Sequence, residues 1–204
     1  MKRISHRLMI AIVILLLSQG GGYSSVPGTS SLVSLSYLKI KGSTNVNKFD
    51  INYKIINSLG EREQLLFKPF INDNELIVVL IPVDCLESEN RMLQKDFYDL
   101  LQTDKYSFIR IQISEKSVIR ALENDLRSLE FCITIAGETD YIEFDLTSIQ
   151  TDNNTWFLET KKAVMLNQFG LEAPEKFGGL IKVNSKLIVS FGMYFDLQYL
   201  SARE

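Results

Sequence analysis

The sequence predicts an all-β-dominated fold, an antiparallel barrel or sandwich with one helix packed against it. Three observations carry that reading. The stretch Leu76 to Ile113 reads as strand, helix, strand. Leu129 to Leu146 and Leu187 to Phe195 alternate apolar and polar residues with a period of two, as half-buried strands do. About eight such segments stand against one dependable helix, a ratio that suits an antiparallel sheet better than a parallel one with crossover helices.

In chain order, extended structure is expected from near Leu32. Leu38 and Ile40 alternate with Tyr37, Lys39 and Lys41. The string Gly42-Ser43-Thr44-Asn45 then interrupts, and Phe49, Ile51, Tyr53 and Ile55 resume the alternation, which fits a hairpin or a bent strand. Turn residues at Asn57 to Gly60 and Asn72 to Asn74 flank a short strand at Leu65-Leu66-Phe67. Leu76 to Val83 is apolar and β-branched, as in a strand buried on both faces. Ser88 is placed to cap a helix over about 88–102. On it Met92, Leu93, Phe97, Leu100 and Leu101 recur at spacings of three to five, an apolar stripe on an otherwise charged helix. Phe108 to Ile113 alternates again.

Beyond Ile113, Val118, Ile119, Leu122 and Leu126 suit either a short helix or an irregular connection. Leu129, Phe131, Ile133 and Ile135, followed after a break at Gly137 by Ile142, Phe144 and Leu146, make a hairpin with one apolar face. A turn at Asp152-Asn153-Asn154 leads into Trp156 to Met165, and Gly170, Pro174, Gly178 and Gly179 mark a loop. The final strand sets Leu187, Val189, Phe191, Met193 and Phe195 against Ser190, Gly192, Tyr194 and Asp196.

Composition narrows the function. At 204 residues the chain fits one domain, and 46% hydrophobic with 23% charged residues is ordinary globular composition. A net charge of −3, with no run of Lys and Arg interleaved with aromatics, argues against a nucleic-acid partner. Lys2, Arg3 and Arg7 precede the apolar run Leu8 to Leu17, and Ser18 to Gly22 supplies small residues. This pattern reads as a cleaved secretory signal over 1–22, followed by a Ser/Gly/Pro-rich linker over 23–31 and one domain over 32–204. The apolar run is about half the roughly twenty residues a membrane span needs. The mature protein is therefore expected in the periplasm or outside the cell.

The only histidine, His6, lies inside the expected signal. Its removal leaves no imidazole base, no Ser-His-Asp or Cys-His nucleophile system and no His-based metal site. Asp96 with Asp99, or Glu87 with Glu89, form carboxylate pairs, but no partner base accompanies them and surface helices carry such charges routinely. No catalytic and no metal-ligating residue is therefore assigned. Cys85 and Cys132 are the only cysteines. Their parities within their strands point them to different faces, so two separate thiols are expected rather than a disulfide.

Five strings, in order, resemble motifs of the YceI-like family, whose members include polyisoprenoid-binding domains. The first, Ile40 to Phe49 (Ile-Lys-Gly-Ser-Thr-Asn-Val-Asn-Lys-Phe), is similar to the opening motif of an Asn-rich bacterial subgroup. Ile81 to Met92 resembles the strand that leads into the family's helix. Tyr106 to Ile111 resembles its Tyr-Pro-x-Ile-x-Phe motif, with Ser107 where Pro is usual and Ile111 where Phe is usual. Ile133 to Gly137 is similar to a Leu-Thr-Ile-x-Gly strand end, and Phe169 to Pro174, followed by Phe177-Gly178-Gly179, to a late Phe-Gly-Ile-x-x-Pro loop. Cys85 stands where the pattern often has Ser. The resemblance spans about Leu32 to Leu197.

The resemblance implies a lipocalin-like antiparallel eight-stranded β-barrel whose helix packs at the mouth. Its lumen would hold a long apolar chain, a polyisoprenoid lipid or quinone, and there would be no resident cofactor and no enzymatic activity. The lumen-facing candidates are then Val79, Ile81, Val83, Ile109, Ile111, Ile113, Phe131, Ile133, Ile135, Ile142, Phe144, Leu146, Val189, Phe191 and Met193. Met92, Phe97, Leu100 and Leu101 would form the gate. Periodicity alone leaves two states open, because an eight-stranded barrel can enclose one small ligand or fill its interior with side chains. A filled barrel would instead serve as an envelope interaction module, with an envelope protein or a second copy of the chain as its partner. Likewise, Ser43, Thr44, Asn45 and Asn47 either hydrogen-bond a ligand headgroup or shape a turn.

Overall fold

A computed structural model describes residues 33–53, 70–71, 76–123, 126–152 and 155–196. All lie within the unit Ser31–Glu204. The expected signal and linker, the turns at 57–60 and 72–74 and the short strand at 65–67 lie outside the described residues.

The alternating segments pair as one antiparallel sheet. Its strands are β1 (Val33–Ser43), β2 (Lys48–Tyr53), β3 (Phe70–Ile71), β4 (Leu76–Pro82), β5 (Leu86–Glu87), β6 (Phe108–Ser114), β7 (Ser128–Ile135), β8 (Glu138–Asp152), β9 (Thr155–Met165) and β12 (Lys186–Asp196). They run in the order β3-β4-β6-β7-β8-β9-β12-β1-β2-β5. A separate two-stranded hairpin consists of β10 (Glu175–Lys176) and β11 (Ile181–Lys182). Two of the ten strands in the main sheet, β3 and β5, have only two residues, so eight longer strands form the wall.

The sheet is nearly closed, and the chain itself links its two edges. β4 ends at Pro82, a single 3-10 turn at Val83–Cys85 follows, and β5 then pairs with β2 at the far edge. Of the barrel and the sandwich that the alternation leaves open, these pairings make the barrel. β4 is buried almost throughout, as its β-branched run predicts. Ala136 and Gly137 both have positive φ, 51° and 86°, and form a two-residue turn between β7 and β8. The Tyr106 ring lies where a Gly137 side chain would project, so this turn can carry none.

Among the described residues two α-helices, not one, accompany the sheet: α1 (Arg91–Leu101) and α2 (Glu115–Glu123). The segment read as either a short helix or a connection is therefore helical, with Val118 and Ala121 fully buried in the core, while Leu126 lies beyond the helix and is exposed. α1 precedes β6 and α2 follows it, so the two helices sit a strand length apart. The cap of α1 is Asn90 rather than Ser88. The Asn90 Oδ1 accepts from the Met92 and Leu93 amides at 2.9 and 3.2 Å, satisfying two of the helix's free N–H groups. Gln102 ends the helix in the left-handed region at φ 52°. Gln94 fastens α1 to β5, because its Nε2 donates to the Leu86 carbonyl at 2.7 Å and its Oε1 accepts from the Ser88 amide.

Both cysteines are free, as expected from their parity: Cys85 is buried in the 3-10 turn, and Cys132 is half-buried on β7.

Candidate functional site

The interior of the barrel divides into a filled end and an open end. At the filled end Phe131, Phe144 and Phe191 meet edge-on or tilted, with ring centroids 5.1 to 5.4 Å apart. Phe195, Met193 and Leu158 are buried there as well. Such aromatic contacts add about 0.5–1.5 kcal/mol each beyond the area they bury.

At the other end, beneath α1, the wall is aliphatic and leaves space. A cavity of about 90 Å³ is enclosed by β-wall residues that include Ile40, Ile51, Ile109, Ile135, Val164, Leu187 and Val189. Leu93, Phe97, Leu100 and Leu101 of α1 cover it, together with Leu166, Phe169 and Leu171 from the segment after β9. A second cavity of about 50 Å³ continues inward and shares Ile40, Ile109, Ile135, Val164, Phe169 and Val189 with the first. Phe144 and Phe191 border this inner cavity, so the aromatic cluster forms its floor. Together the two approach the roughly 150 Å³ of an apolar cavity that stays dry and takes up benzene.

Among the described residues, the charged groups lining the outer cavity are Asp96 of α1 and Lys176 of β10. They pair with each other, Nζ to Oδ1 at 2.7 Å, and the Asp96 side chain is only 16% exposed. This ion pair ties the β10–β11 hairpin to the helix across the mouth. Phe49 and Leu93 separate the cavity from an outer cleft of about 660 Å³ lined by Lys39, Thr44, Lys48, Asp50, Asn52, Glu89 and Asn90. The Phe49 ring occupies the place where a side chain on Gly42 would stand, so Gly42 is what admits it.

The fifteen lumen candidates separate into three groups. Ile109, Ile111, Ile133, Ile135, Ile142, Phe144, Val189 and Phe191 border one or both cavities. Val79, Ile81, Ile113, Phe131, Leu146 and Met193 belong to the packed core or lie against it and border neither. Val83 is buried but sits in the 3-10 turn rather than on a strand, its amide donating to the Ser107 carbonyl at 2.9 Å.

Of the gate candidates, Phe97, Leu100 and Leu101 cover the cavity, whereas Met92 is 63% exposed and points away from it. A spacing of five residues rotates about 140° around a helix, so Met92 and Phe97 cannot share a stripe. Leu93, four before Phe97, takes the place assigned to Met92. The Gly-Ser-Thr-Asn string shapes a loop: Thr44 Oγ1 accepts from the Val46 and Asn47 amides at 3.2 and 2.9 Å. Asn45 spans to the β10–β11 hairpin, its Nδ2 donating to the Leu180 carbonyl at 2.9 Å and its Oδ1 accepting from the Lys182 amide at 3.0 Å.

Residues of β9 and of the segment after it were absent from the expected wall. On β9, Leu158 and Thr160 are fully buried and Val164 borders both cavities. Thr160 places a hydroxyl on the inward face, so the string Glu159-Thr160-Lys161-Lys162 reads as uniformly polar and hides the alternation. Among the described residues the Thr160 hydroxyl finds no hydrogen-bond partner.

Cys85 in the 3-10 turn and Tyr98 on α1 are held in their neutral forms. Burial, followed by the neighbouring Asp84 carboxylate, pushes the Cys85 thiol up to about 11. The same two causes, burial first, raise Tyr98. A thiol so placed is not a thiolate nucleophile at neutral pH. Among the described residues no group of three or more His, Cys, Asp or Glu could hold a metal ion. No helix among them is long and apolar enough to cross a membrane.

No protein-family model and no curated protein matches the chain. Solved structures do. A polyisoprenoid binding domain from Saccharophagus degradans, implicated in plant cell wall breakdown, superposes with a TM-score of 0.56 at 10% identity, covering 81% of this chain and 98% of that one. Burkholderia cenocepacia BcnA gives 0.49 at 10% identity, covering 78% and 94%. A Campylobacter jejuni YCEI protein gives 0.43 at 10% identity, covering 59% and 71%. The chain shares the fold of the Saccharophagus domain, the antiparallel barrel that the resemblance to YceI-like proteins implies.

Proposed function

We propose that this chain is a YceI-like binding protein of the periplasm or the extracellular space, and that it holds the end of a long apolar molecule, an isoprenoid lipid or quinone tail, beneath α1. The observation that carries the reading is the apolar cavity under the helix, where the two charged lining groups, Asp96 and Lys176, neutralise each other at the rim. The shared fold with a domain named for polyisoprenoid binding supports it. Such a wall offers no directional contacts, so affinity follows buried area. At about 0.8 kcal/mol per buried CH₂, one five-carbon unit contributes roughly 4 kcal/mol before ordering costs.

Volume limits how much of the ligand enters. Cavities of about 90 and 50 Å³ suit a group near the size of benzene, which is one isoprene unit rather than a whole polyprenyl chain. The remainder would leave past Phe49 and Leu93 into the outer cleft. Carriage or storage is the corresponding role, with no chemistry performed on the ligand.

Organic extraction of the purified protein followed by mass spectrometry tests this directly. A long-chain isoprenoid or quinone in the extract is the expected result. Repeated recovery of none, together with no uptake of added farnesol, rules the carrier out. The packed aromatic end favours a second reading, in which the barrel is a scaffold and an envelope protein is the partner. That reading predicts an empty extract and undiminished partner binding when Val189→Phe fills the cavity.

A further inference from the structure

Three of the most exposed large apolar side chains lie on two joined loops at the rim of the candidate pocket: Leu180 (75% exposed), Val46 (68%) and Phe177 (66%). Val46 is at the β1–β2 turn, and Phe177 and Leu180 are at the tip of the β10–β11 hairpin. Asn45 fastens the two loops together through the Leu180 carbonyl and the Lys182 amide. The inner side of the same hairpin supplies Lys176, while Val183 just beyond it also lines the cavity, so the apolar tips are continuous with the pocket mouth.

Phe177 is held outward in the left-handed region at φ 54°, an uncommon conformation for a bulky residue. With Gly178 and Gly179, also at positive φ, it turns the hairpin tip, and the turn leaves the ring in water.

We propose that this rim docks on a lipid bilayer, inserting Val46, Phe177 and Leu180 between lipids so that an apolar chain can pass from the membrane into the cavity beneath α1. The passage step rests on the pocket reading above; the docking itself does not.

Two features favour a bilayer over a protein surface. The first is that six amides of the two tips are already hydrogen-bonded within the chain, which lowers the cost of immersion among lipids. The Thr44 amide donates to the Asn47 carbonyl at 2.7 Å, the Asn45 amide to Lys182 at 3.1 Å, the Val46 and Asn47 amides to Thr44 Oγ1, the Gly179 amide to Lys176 at 3.2 Å and the Leu180 amide to Phe177 at 3.4 Å. The second is charge. Lys176 pairs with Asp96 at 2.7 Å and Lys182 with Glu175 at 3.0 Å, and the whole chain carries a net charge of −3. A rim neutralised in this way suits a zwitterionic surface entered by apolar side chains, not a polyanion.

Trp156 is the only tryptophan, so a Trp156→Phe, Phe177→Trp double variant of the full chain reports on the tip alone. On adding phosphatidylcholine vesicles, we expect a blue shift of the new indole and roughly twofold or greater quenching by lipids brominated on the acyl chain. Both effects should survive high salt, and adding Val46→Ser and Leu180→Ser should abolish most of the quenching.

An indole that stays water-exposed on vesicles overturns the proposal, even if another part of the chain holds the protein there. So does quenching that requires phosphatidylglycerol and vanishes with salt. A blue shift that grows with protein concentration without vesicles makes the occupant a second copy and also overturns it. Solvent extraction of the same preparation reads the pocket separately: lipid in the extract with an unquenched indole overturns docking alone, and quenching with an empty extract supports docking while removing the pocket reading.

Discussion

The two ends of the barrel interior are built on the same strands from different side chains. At one end Phe131, Phe144 and Phe191 interlock at centroid distances of 5.1 to 5.4 Å and leave no space between them. At the other, Ile40, Ile109, Ile135, Val164 and Val189 line the wall, and α1, with Phe97 on its inner face, covers the mouth together with Phe169. Branched aliphatic side chains standing on a curved wall do not reach the axis, whereas three phenyl rings do. The aromatic end therefore gives the barrel its rigidity, and the aliphatic end keeps the room in which a ligand can be held.

The largest test of this contrast is truncation on each side. Phe191→Ala should cost about 3–5 kcal/mol, because the ring is fully buried and packs on both Phe131 and Phe144. Leu100→Ala should cost only about 1–2 kcal/mol, since that side chain is only half-buried. Urea denaturation of the two variants reads the difference, and equal costs would remove the distinction between the ends.

Ligand linkage comes next. Farnesol at a hundredfold excess over its dissociation constant should stabilise the wild type by about 2.7 kcal/mol. Val189→Phe, which fills a position shared by both cavities, should abolish that gain in a thermal-shift measurement.

A smaller effect lies at Thr160, whose buried hydroxyl has no partner among the described residues. Thr160→Val removes an unsatisfied polar group at nearly constant volume and should raise stability by about 1 kcal/mol in the same denaturation assay. The smallest change is expected at the mouth. The Asp96–Lys176 pair is partly solvated, so Asp96→Asn should cost under about 1 kcal/mol globally. It should nevertheless speed amide hydrogen exchange across 175–182, because that pair ties the hairpin to α1. Unchanged exchange there would show that the ion pair does not hold the mouth shut.

Much of the wall was readable from residues. Phe131, Ile133 and the β12 run from Leu187 to Phe195 alternate without interruption, and a period of two places alternate residues on the inner face whatever the partner strand. β9 resisted the same reading because Thr160 is both polar and inward. The gate was readable only in part. Phe97, Leu100 and Leu101 fall on one helical stripe, but counting Met92 into it ignored the rotation that five residues impose. Leu166, Phe169 and Leu171 come from a 3-10 turn and an irregular segment, which have no period long enough to recognise. In the Gly-Ser-Thr-Asn string the choice between headgroup contact and turn depended on Asn45 meeting a hairpin more than a hundred residues away.

By itself the sequence determined the class of fold and which side chains face inward on most strands, because alternation is a local property of the backbone. Only the tertiary structure decided where the barrel is filled and where it is open. That outcome depends on which inward residues meet across the axis, and strand register, barrel closure and the position of α1 set those meetings together.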